Sequence, residues 1–243
     1  MQGYIKIFSF TFTLLFLGVA GYAQTQDSYE YHSEFTWGIN KNTYGGLIGG
    51  LFFKKARKLK NDRVLETFGL EIMNVKHPQE VRKTSGTGNF FIFGKANYLY
   101  AFRFQYGRDI ILFKKAPQQG VEIKAVFAAG PTLGLLAPYY VEYSPSSQSS
   151  GVTYFAQYNP NNTDDVLGTG RLFQGLGDSK IKLGGNLKAA LNFELGTIKS
   201  QVTGFEAGFL LDAYTSKIDL LPGTENYSVF PTLFIAIFYG SRK

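Results

Sequence analysis

The chain has 243 residues, of which 28 are glycine, 23 phenylalanine and 16 tyrosine, and it contains no cysteine. Aromatic residues make up 16% and charged residues 18% of the sequence, a composition too apolar for a disordered protein. The lack of cysteine excludes disulfides, thiolate metal sites and cysteine nucleophiles. A mean hydropathy of −0.08 excludes a bundle of membrane helices, and the excess of glycine and phenylalanine favours strands with one apolar face.

The first predicted element is a secretory signal peptide over residues 1–23. Lys6 supplies a positive charge, an apolar run follows it, and Gly21 and Ala23 are small residues at the positions that a signal peptidase requires. The apolar run is shorter than the about 20 residues that cross a bilayer as a helix. Cleavage after Ala23 is therefore expected rather than retention as a membrane anchor, and 24–243 are predicted to form one domain.

Four segments in the first half of the chain alternate with the period of two that is typical of strands. The first segment places Tyr31 on its apolar face and His32 on its polar face. The apolar faces of the four segments carry Tyr31, Phe35, Trp37 and Ile39, then Leu47, Leu51 and Phe53, then Val64, Phe68, Leu70 and Ile72, then Tyr98, Tyr100, Phe102, Phe104 and Tyr106.

Four more segments follow, at 121–127, 186–195, 205–213 and 227–239, the last of which is almost wholly apolar. Several of the eight segments are longer than the about 5–6 residues of an ordinary soluble strand. Strands of about 9–11 residues are what a tilted membrane-spanning barrel needs. The sequence therefore predicts an all-β fold, a transmembrane antiparallel up-and-down β-barrel of eight strands.

The polar faces of these segments separate the barrel from a soluble β-sandwich. A sandwich would cover its solvent face with lysine and glutamate, whereas these faces mix small residues with acids and bases in similar numbers. Such a mixture suits a narrow lumen in which side chains neutralise one another. The predicted lumen charge network consists of Glu34, Glu71, Lys95, Arg103, Glu122, Lys124, Lys188, Glu194, Glu206 and Asp212.

The connections are expected to alternate between long outer loops and short inner turns. The stretch 144–169 is predicted to be the longest outer loop, and 197–200 a short inner turn. A longish inner loop at 54–63 fits this pattern less well. Short additional strands at 110–113 and 152–158 would raise the count to ten, which is the alternative to eight strands.

A run of basic residues is the densest charge cluster of the chain. In an exported protein it is expected to face anionic headgroups or an acidic periplasmic partner rather than nucleic acid, although a merely solvated rim is equally consistent with it. The predicted basic inner rim consists of Lys54, Lys55, Arg57, Lys58, Lys60, Arg63, Arg108, Lys114 and Lys115.

Residues suited to catalysis are scarce. Only two histidines exist, and His77, with Glu80 and Ser85 nearby in sequence, is a weak candidate base. The run 159–165 lacks the glycine hinge and final glutamate of a calcium loop. No catalytic residue, cofactor or metal site is therefore predicted, and a lumen filled by side chains argues against a general diffusion channel.

Two stretches carry a family resemblance. One is Gly94-Lys95-Ala96-Asn97-Tyr98 running into Tyr106-Gly107-Arg108, and the other is Gly130-Pro131 running into Pro138-Tyr139-Tyr140. The chain resembles small outer-membrane β-barrel proteins of Gram-negative envelopes of the Bacteroidota type. The resemblance implies an accessory barrel of a larger outer-membrane machine, such as the β-barrel assembly machinery. The ending Gly240-Ser241-Arg242-Lys243 departs from the terminal aromatic residue usual in such barrels.

These observations lead to one main hypothesis and three alternatives. The main hypothesis is a non-enzymatic structural or accessory subunit in the bacterial outer membrane, whose partners are membrane lipids, lipopolysaccharide and other envelope proteins. The alternatives are a lipid-modifying or proteolytic barrel enzyme with His77 as base, a narrow pore for small solutes, and a soluble secreted β-protein.

Overall fold

The computed structural model describes residues 31–46, 48–115, 120–144, 152–163, 165–171, 173–195 and 200–243. The predicted signal peptide, its cleavage site and Leu47 lie outside the described residues. No helix within these ranges is long and apolar enough to cross a membrane.

The described residues form thirteen strands and one turn of 3₁₀ helix at Leu176–Asp178. The strands are β1 (Ser33–Asn42), β2 (Gly50–Lys58), β3 (Val64–Val75), β4 (Val81–Thr84), β5 (Phe90–Phe93), β6 (Asn97–Phe113), β7 (Glu122–Pro138), β8 (Tyr140–Tyr143), β9 (Tyr154–Gln157), β10 (Val166–Thr169), β11 (Lys180–Glu194), β12 (Gln201–Tyr214) and β13 (Val229–Arg242).

Eight of these strands close into an antiparallel barrel in the order β1-β13-β12-β11-β7-β6-β3-β2. The predicted barrel fold and its count of eight strands are thus confirmed, and the alternative of ten strands is wrong. Ile110–Phe113 continues β6 to its end, because its residues keep pairing with β3 and β7. Residues 154–157 form β9, which belongs to a separate small sheet.

Side chains alternate between the outside of the barrel and its lumen, as the period of two predicts. In β1, Phe35, Trp37 and Ile39 are exposed on the outside, whereas Glu34 and Thr36 are buried. The same alternation runs along the other barrel strands. The predicted apolar and polar faces are therefore the outer wall and the lumen.

The prediction for Tyr31 and His32 is wrong. Tyr31 is buried and His32 is exposed, the reverse of the predicted faces. Both residues precede the first residue of β1, Ser33, so the alternation of the strand does not apply to them. Tyr31 instead packs at the end of the lumen, where the guanidinium carbon of Arg242 lies 4.2 Å from its ring centroid.

The connections differ in length between the two ends of the barrel. At one end, here called the inner end, the strands are joined by 59–63, 114–121 and 195–200. At the other, the outer end, they are joined by 43–49, 76–96, 139–179 and 215–228. The longish inner loop expected at 54–63 is shorter than predicted, because β2 continues through the basic run to Lys58. Part of the predicted turn 197–200 lies outside the described residues.

The two longest connections fold into small sheets over the outer end. In one sheet β4 pairs with β5, and in the other the order is β10-β8-β9. These five strands are called the outer cap. The stretch 144–169, predicted as one long loop, contains β9 and β10. A buried cluster holds the outer cap together and consists of Phe91, Tyr139, Val141, Tyr143, Tyr158 and Val166.

The pairing of β6 with β7 is interrupted near its middle. The register skips Phe104 and Gln105, which lie opposite Gly130 and Pro131. Proline has no backbone N–H to donate, so it leaves a gap in a ladder. Beside this gap the Asn186 side-chain amide donates to the carbonyl oxygens of Gly130 at 3.0 Å and Pro131 at 3.2 Å.

Candidate functional site

The charges in the lumen form three groups along the barrel axis. The inner tier lies nearest the inner end and contains Glu34, Glu122, Glu194, Lys124 and Arg242. Lys124 Nζ lies 3.1 Å from a Glu34 oxygen, 3.2 Å from Glu122 and 3.7 Å from Glu194. Arg242 contacts the same three carboxylates, at 2.6 Å for Glu34 and 3.4 Å for Glu122. Each cation thus links strands on opposite sides of the barrel.

The three carboxylates of the inner tier have oxygens that all lie within 4.8 Å of one another. Such a group has the chemistry to ligate a hard cation. Here Lys124 and Arg242 already lie among the oxygens, and Lys115 Nζ lies 3.9 Å from Glu194. The protein's own cations therefore neutralise this group.

The middle tier is a balanced set of two acids and two bases. Lys54 Nζ lies 2.9 Å from Asp109 Oδ2 and 3.3 Å from Glu206 Oε2. Lys188 Nζ lies 2.7 Å from Glu206 Oε1, and the Asn192 amide donates to Glu206 Oε2 at 3.0 Å. Buried ions persist when they are paired with opposite charges. All four ions of this tier are paired, although Asp109 Oδ1 has no hydrogen-bond partner among the described residues.

The outer tier is built around one arginine. Arg103 donates to both oxygens of Asp212 and to Glu71 Oε1 at 3.0 Å. The Asn40 amide donates to Glu71 at 2.5 Å, and the Thr132 hydroxyl donates to Asp212 at 3.2 Å. The planar guanidinium suits this arrangement, since its fixed fork of N–H groups reaches two carboxylates at once.

Apolar clusters fill the lumen above, between and below these charges. The cluster at the outer end includes Leu220 and Ile218, which fold back into the barrel from the connection 215–228. The cluster at the inner end consists of Tyr31, Ala56, Leu65 and Ile111. Side chains therefore occupy the lumen along its length, as expected for a barrel of eight strands. This arrangement gives no support to the alternative of a narrow pore.

The lumen network differs from the prediction in its membership. Lys95 is not in the lumen but lies buried beneath the outer cap, where its Nζ is 2.5 Å from Glu80 and 4.4 Å from the centroid of the Tyr98 ring. It precedes β6 by two residues, so strand alternation does not govern it. The other nine predicted members all lie in the lumen tiers.

Three lumen charges, Lys54, Asp109 and Arg242, were not among the predicted members of the lumen network. Lys54 was assigned to the inner rim, although its position after the outward-facing Phe53 indicates a lumen residue. Asp109 lies on the lumen-facing side of β6, which continues beyond Tyr106, the last residue of the predicted segment. Arg242 lies in β13, which extends past the aromatic pair at 238 and 239.

The basic residues predicted at the inner rim are divided among several surroundings. Lys60, Arg63 and Lys114 are exposed at the inner end. Lys58 lies 3.6 Å from Asp62, and Lys115 reaches the inner tier. The remaining three, Lys55, Arg57 and Arg108, point outward from the barrel wall.

The weak candidate base His77 is engaged by the backbone. Its Nδ1 accepts from the Gln79 N–H at 3.2 Å, and its Nε2 lies 3.1 Å from the Glu225 carbonyl oxygen. The ring stacks on Tyr227 with centroids 5.9 Å apart. Glu80 pairs with Lys95, and the Ser85 hydroxyl donates to the Leu167 carbonyl. This geometry does not assemble a nucleophile, a base and an orienting acid.

Lys95 is a charged group buried beneath the outer cap. Burial lowers the pKa of the Lys95 ammonium below its usual value, and the neighbouring Glu80 carboxylate opposes this shift by raising it. The pair joins the segment 76–80 to the residues just before β6.

No protein-family model matches the chain, and no curated protein matches it. Among solved structures, it is similar to Ail, the attachment invasion locus protein of Yersinia pestis, determined in complex with the heparin analogue sucrose octasulfate. The TM-score is 0.40 and the identity 10%, over 88% of this chain and 100% of that one. It is also similar to Neisserial surface protein A, with a TM-score of 0.38 and an identity of 8%, over 90% of this chain and 100% of that one. These similarities are too low to transfer a function, and the fold assignment rests on the strand pairing of the chain itself.

Proposed function

We propose that this protein is a non-enzymatic integral barrel of the bacterial outer membrane that acts as a structural or accessory subunit of an outer-membrane complex. The observation that carries the proposal is the pairing of an apolar outer wall with a lumen filled by charges. Trp37, Leu233 and Ile237 are exposed by 49%, 62% and 63% on the outer wall. A soluble monomer rarely exposes so large a continuous apolar surface, whereas a membrane barrel requires it.

The proposed orientation places the outer cap outside the cell and the inner end in the periplasm. Short turns at the inner end and long connections at the outer end support this orientation, because membrane barrels have short periplasmic turns and longer extracellular loops. Export is proposed to follow from the signal peptide at 1–23, with cleavage after Ala23.

The proposed orientation is tested by labelling single cysteines in intact cells. The natural chain has no cysteine, so each introduced thiol is the only one in the protein. Gly86→Cys in the outer cap should react with a membrane-impermeant maleimide on intact cells, and Lys60→Cys in the inner turn should react only after lysis. The opposite pattern would overturn the orientation, and labelling of both in a soluble fraction would overturn membrane insertion.

Partner binding is proposed to use the outer cap. Phe90 and Val81 on the β4–β5 hairpin are exposed by 62% and 57%, and Tyr154 on the edge strand β9 is also exposed. Exposed aromatic side chains on a rigid support are typical of protein interfaces. The lumen offers no comparable surface, since its side chains contact one another. The β-barrel assembly machinery is the candidate complex that the family resemblance suggests.

The accessory role is tested by crosslinking in native membranes. A photo-crosslinking amino acid that replaces Phe90 should yield a protein adduct. The same photo-crosslinking amino acid in place of Lys60, at the opposite end of the barrel, is the matched control. Isolation in mild detergent should then recover the same partner. Recovery of a lone monomer with no adduct from Phe90 would contradict the accessory role while leaving the barrel assignment intact.

A further inference from the structure

Three basic side chains face outward from adjacent barrel strands near the inner end. Arg57 of β2 pairs in register with Glu66 of β3, and Glu66 pairs with Arg108 of β6. Lys55 lies two residues from Arg57 on the same outward face. Adjacent strands are about 4.8 Å apart, so Arg57 and Arg108 flank the Glu66 carboxylate, and Lys55 lies one position further along the same face.

This carboxylate does not neutralise all three cations. Glu66 Oε1 accepts from the Tyr106 hydroxyl at 2.7 Å and from Arg108 Nη1 at 3.0 Å. Within the described part of the chain, no carboxylate oxygen lies within 4.0 Å of Lys55 or Arg57. The patch therefore carries an excess of positive charge on the outer wall.

The surroundings of the patch are aromatic. Phe35 and Phe68 are the register neighbours of Lys55 on the two adjoining strands, and both rings are exposed on the wall. Tyr106 packs on Phe68, with ring centroids 5.0 Å apart. Cations and aromatic rings on the outer wall are typical of the headgroup level, where amphipathic side chains reach the interface. An excess of cations there is stabilised by an anion.

A shallow apolar furrow begins beside Arg108 and Tyr106. Its volume is about 550 Å³, its floor includes Ala129 and Ala189, and its sides include Phe127 and Phe209. A second hollow of about 970 Å³ shares Phe127, Ala189 and Phe209 with it and continues over Ala125 and Ala207 to Leu233.

The furrow forms because small alanine side chains lie between larger phenylalanine side chains on the neighbouring strands. Ala189 lies in register between Phe127 and Phe209, and Phe209 in turn pairs with Leu233. Arg108 lies in the half of β6 nearer the inner end, whereas Leu233 lies in the half of β13 nearer the outer end. The furrow therefore rises from the basic patch toward the middle of the wall.

From this geometry we infer a binding site for an anionic glycerophospholipid of the inner leaflet. Its phosphate is held by Arg57, Arg108 and Lys55, and its acyl chains lie in the furrow over Ala189. The inference rests on the membrane insertion proposed above. A phospholipid fits better than lipopolysaccharide, because the patch lies at the inner end and lipopolysaccharide occupies the outer leaflet. Basic patches on membrane proteins recognise anionic headgroups in this manner.

The test uses the purified full-length protein, delipidated in detergent and titrated with dioleoylphosphatidylglycerol while bound lipid is counted by native mass spectrometry. The double variant Arg57→Gln/Arg108→Gln should weaken lipid binding by about thirtyfold, the change expected when two headgroup cations are removed. Ala189→Phe should weaken it by filling the furrow. Lys60→Gln/Arg63→Gln, which removes two exposed charges from the same end, is the matched control and should bind as the parent does.

Several outcomes would overturn the inference. Equal binding by the parent and the Arg57→Gln/Arg108→Gln variant, or equal binding of dioleoylphosphatidylglycerol and dioleoylphosphatidylcholine, would show that the patch does not hold an anionic headgroup. A protein adduct from a photo-crosslinker at Lys55 in native membranes would assign the patch to a protein partner instead. Each variant is first checked for the heat-dependent gel shift of a closed barrel. Failure to insert into liposomes would overturn the proposed function, whereas insertion without lipid selectivity would overturn only the lipid site.

Discussion

Arg103 lies between Glu71 and Asp212, so the two carboxylates of the outer tier share one buried cation. Replacing Arg103 by methionine keeps the apolar volume and leaves both carboxylates without that cation. Removing one partner of a buried ion pair costs about 3–5 kcal/mol. We expect Arg103→Met to lower the urea midpoint of the barrel in detergent by an amount corresponding to that loss.

The control for Arg103→Met is Arg63→Met, since Arg63 is exposed in the inner turn. A second change, Asp212→Asn in the Arg103→Met background, should recover part of the lost stability, because it removes one of the two uncompensated charges. Equal urea midpoints for Arg103→Met and the parent would show that the outer tier does not stabilise the barrel.

Gly130 allows the close approach of β6 and β7 beside Pro131. A Cβ built at Gly130 would lie 2.0 Å from the Phe104 carbonyl oxygen, a distance that backbone atoms do not tolerate. We expect Gly130→Ala to lower the free energy of unfolding by about 1–3 kcal/mol, as overpacking does elsewhere. Gly86→Ala is the control, because a Cβ at Gly86 meets no atom within 4 Å. Thermal unfolding followed by gel mobility measures both, and matching curves would contradict the steric argument.

Single residues also show where the alternation of strands is a reliable guide. It correctly predicts Glu34, Arg103 and Asp212 in the lumen, because each lies inside a strand in which side chains alternate regularly between the lumen and the outer wall. It failed for Tyr31 and Lys95, which lie just outside β1 and β6. Beyond a strand end the backbone turns, and the side-chain direction is then decided by tertiary contacts.

Among the elements, the short strands of the outer cap pack around a buried apolar cluster, and a buried ion pair lies beside them. Lys95 is fully buried against Glu80, and its ammonium lies over the Tyr98 ring. Lys95→Ala leaves the Glu80 carboxylate without its partner, so we expect the cap to open locally. The readout is limited proteolysis, in which the variant should be cut faster within 76–96 while its barrel keeps the heat-dependent gel shift.

Lys83→Ala is the control for this change, since Lys83 is an exposed lysine of the same cap. Lys95→Ala should be cut faster than Lys83→Ala at equal protease concentration. Equal cleavage rates would mean that the Lys95–Glu80 pair does not hold the cap in place.

The elements of the barrel were predictable from the sequence, whereas those of the outer cap were not. A barrel strand of nine or more residues shows several periods of alternation. The cap strands are four residues each, such as Phe90–Phe93 and Tyr154–Gln157, and too short to show a period. Their pairing also joins residues that are distant in sequence, such as Tyr143 with Val166.

At the scale of the whole molecule, the filled lumen predicts an electrically silent protein. The side chains of the three charge tiers and of the apolar clusters at both ends occupy the space that a water-filled path through the barrel would need. We expect purified protein reconstituted in planar bilayers to produce no conductance steps above the bare membrane, with a general porin measured as the positive control. Regular steps that scale with protein amount would contradict the filled lumen.

The sequence by itself determined the barrel and the two faces of its wall, because period-two alternation is a local property of each strand. It left eight or ten strands open, and the pairing of the strands decided for eight. The tertiary structure alone decided which charges meet. Lys54, Asp109 and Glu206 come from three different strands, and only closure of the barrel brings them within contact distance. The pairing of β2, β3 and β6 places Glu66 between Arg57 and Arg108, since register, which a single strand does not encode, sets the neighbours of each outward side chain.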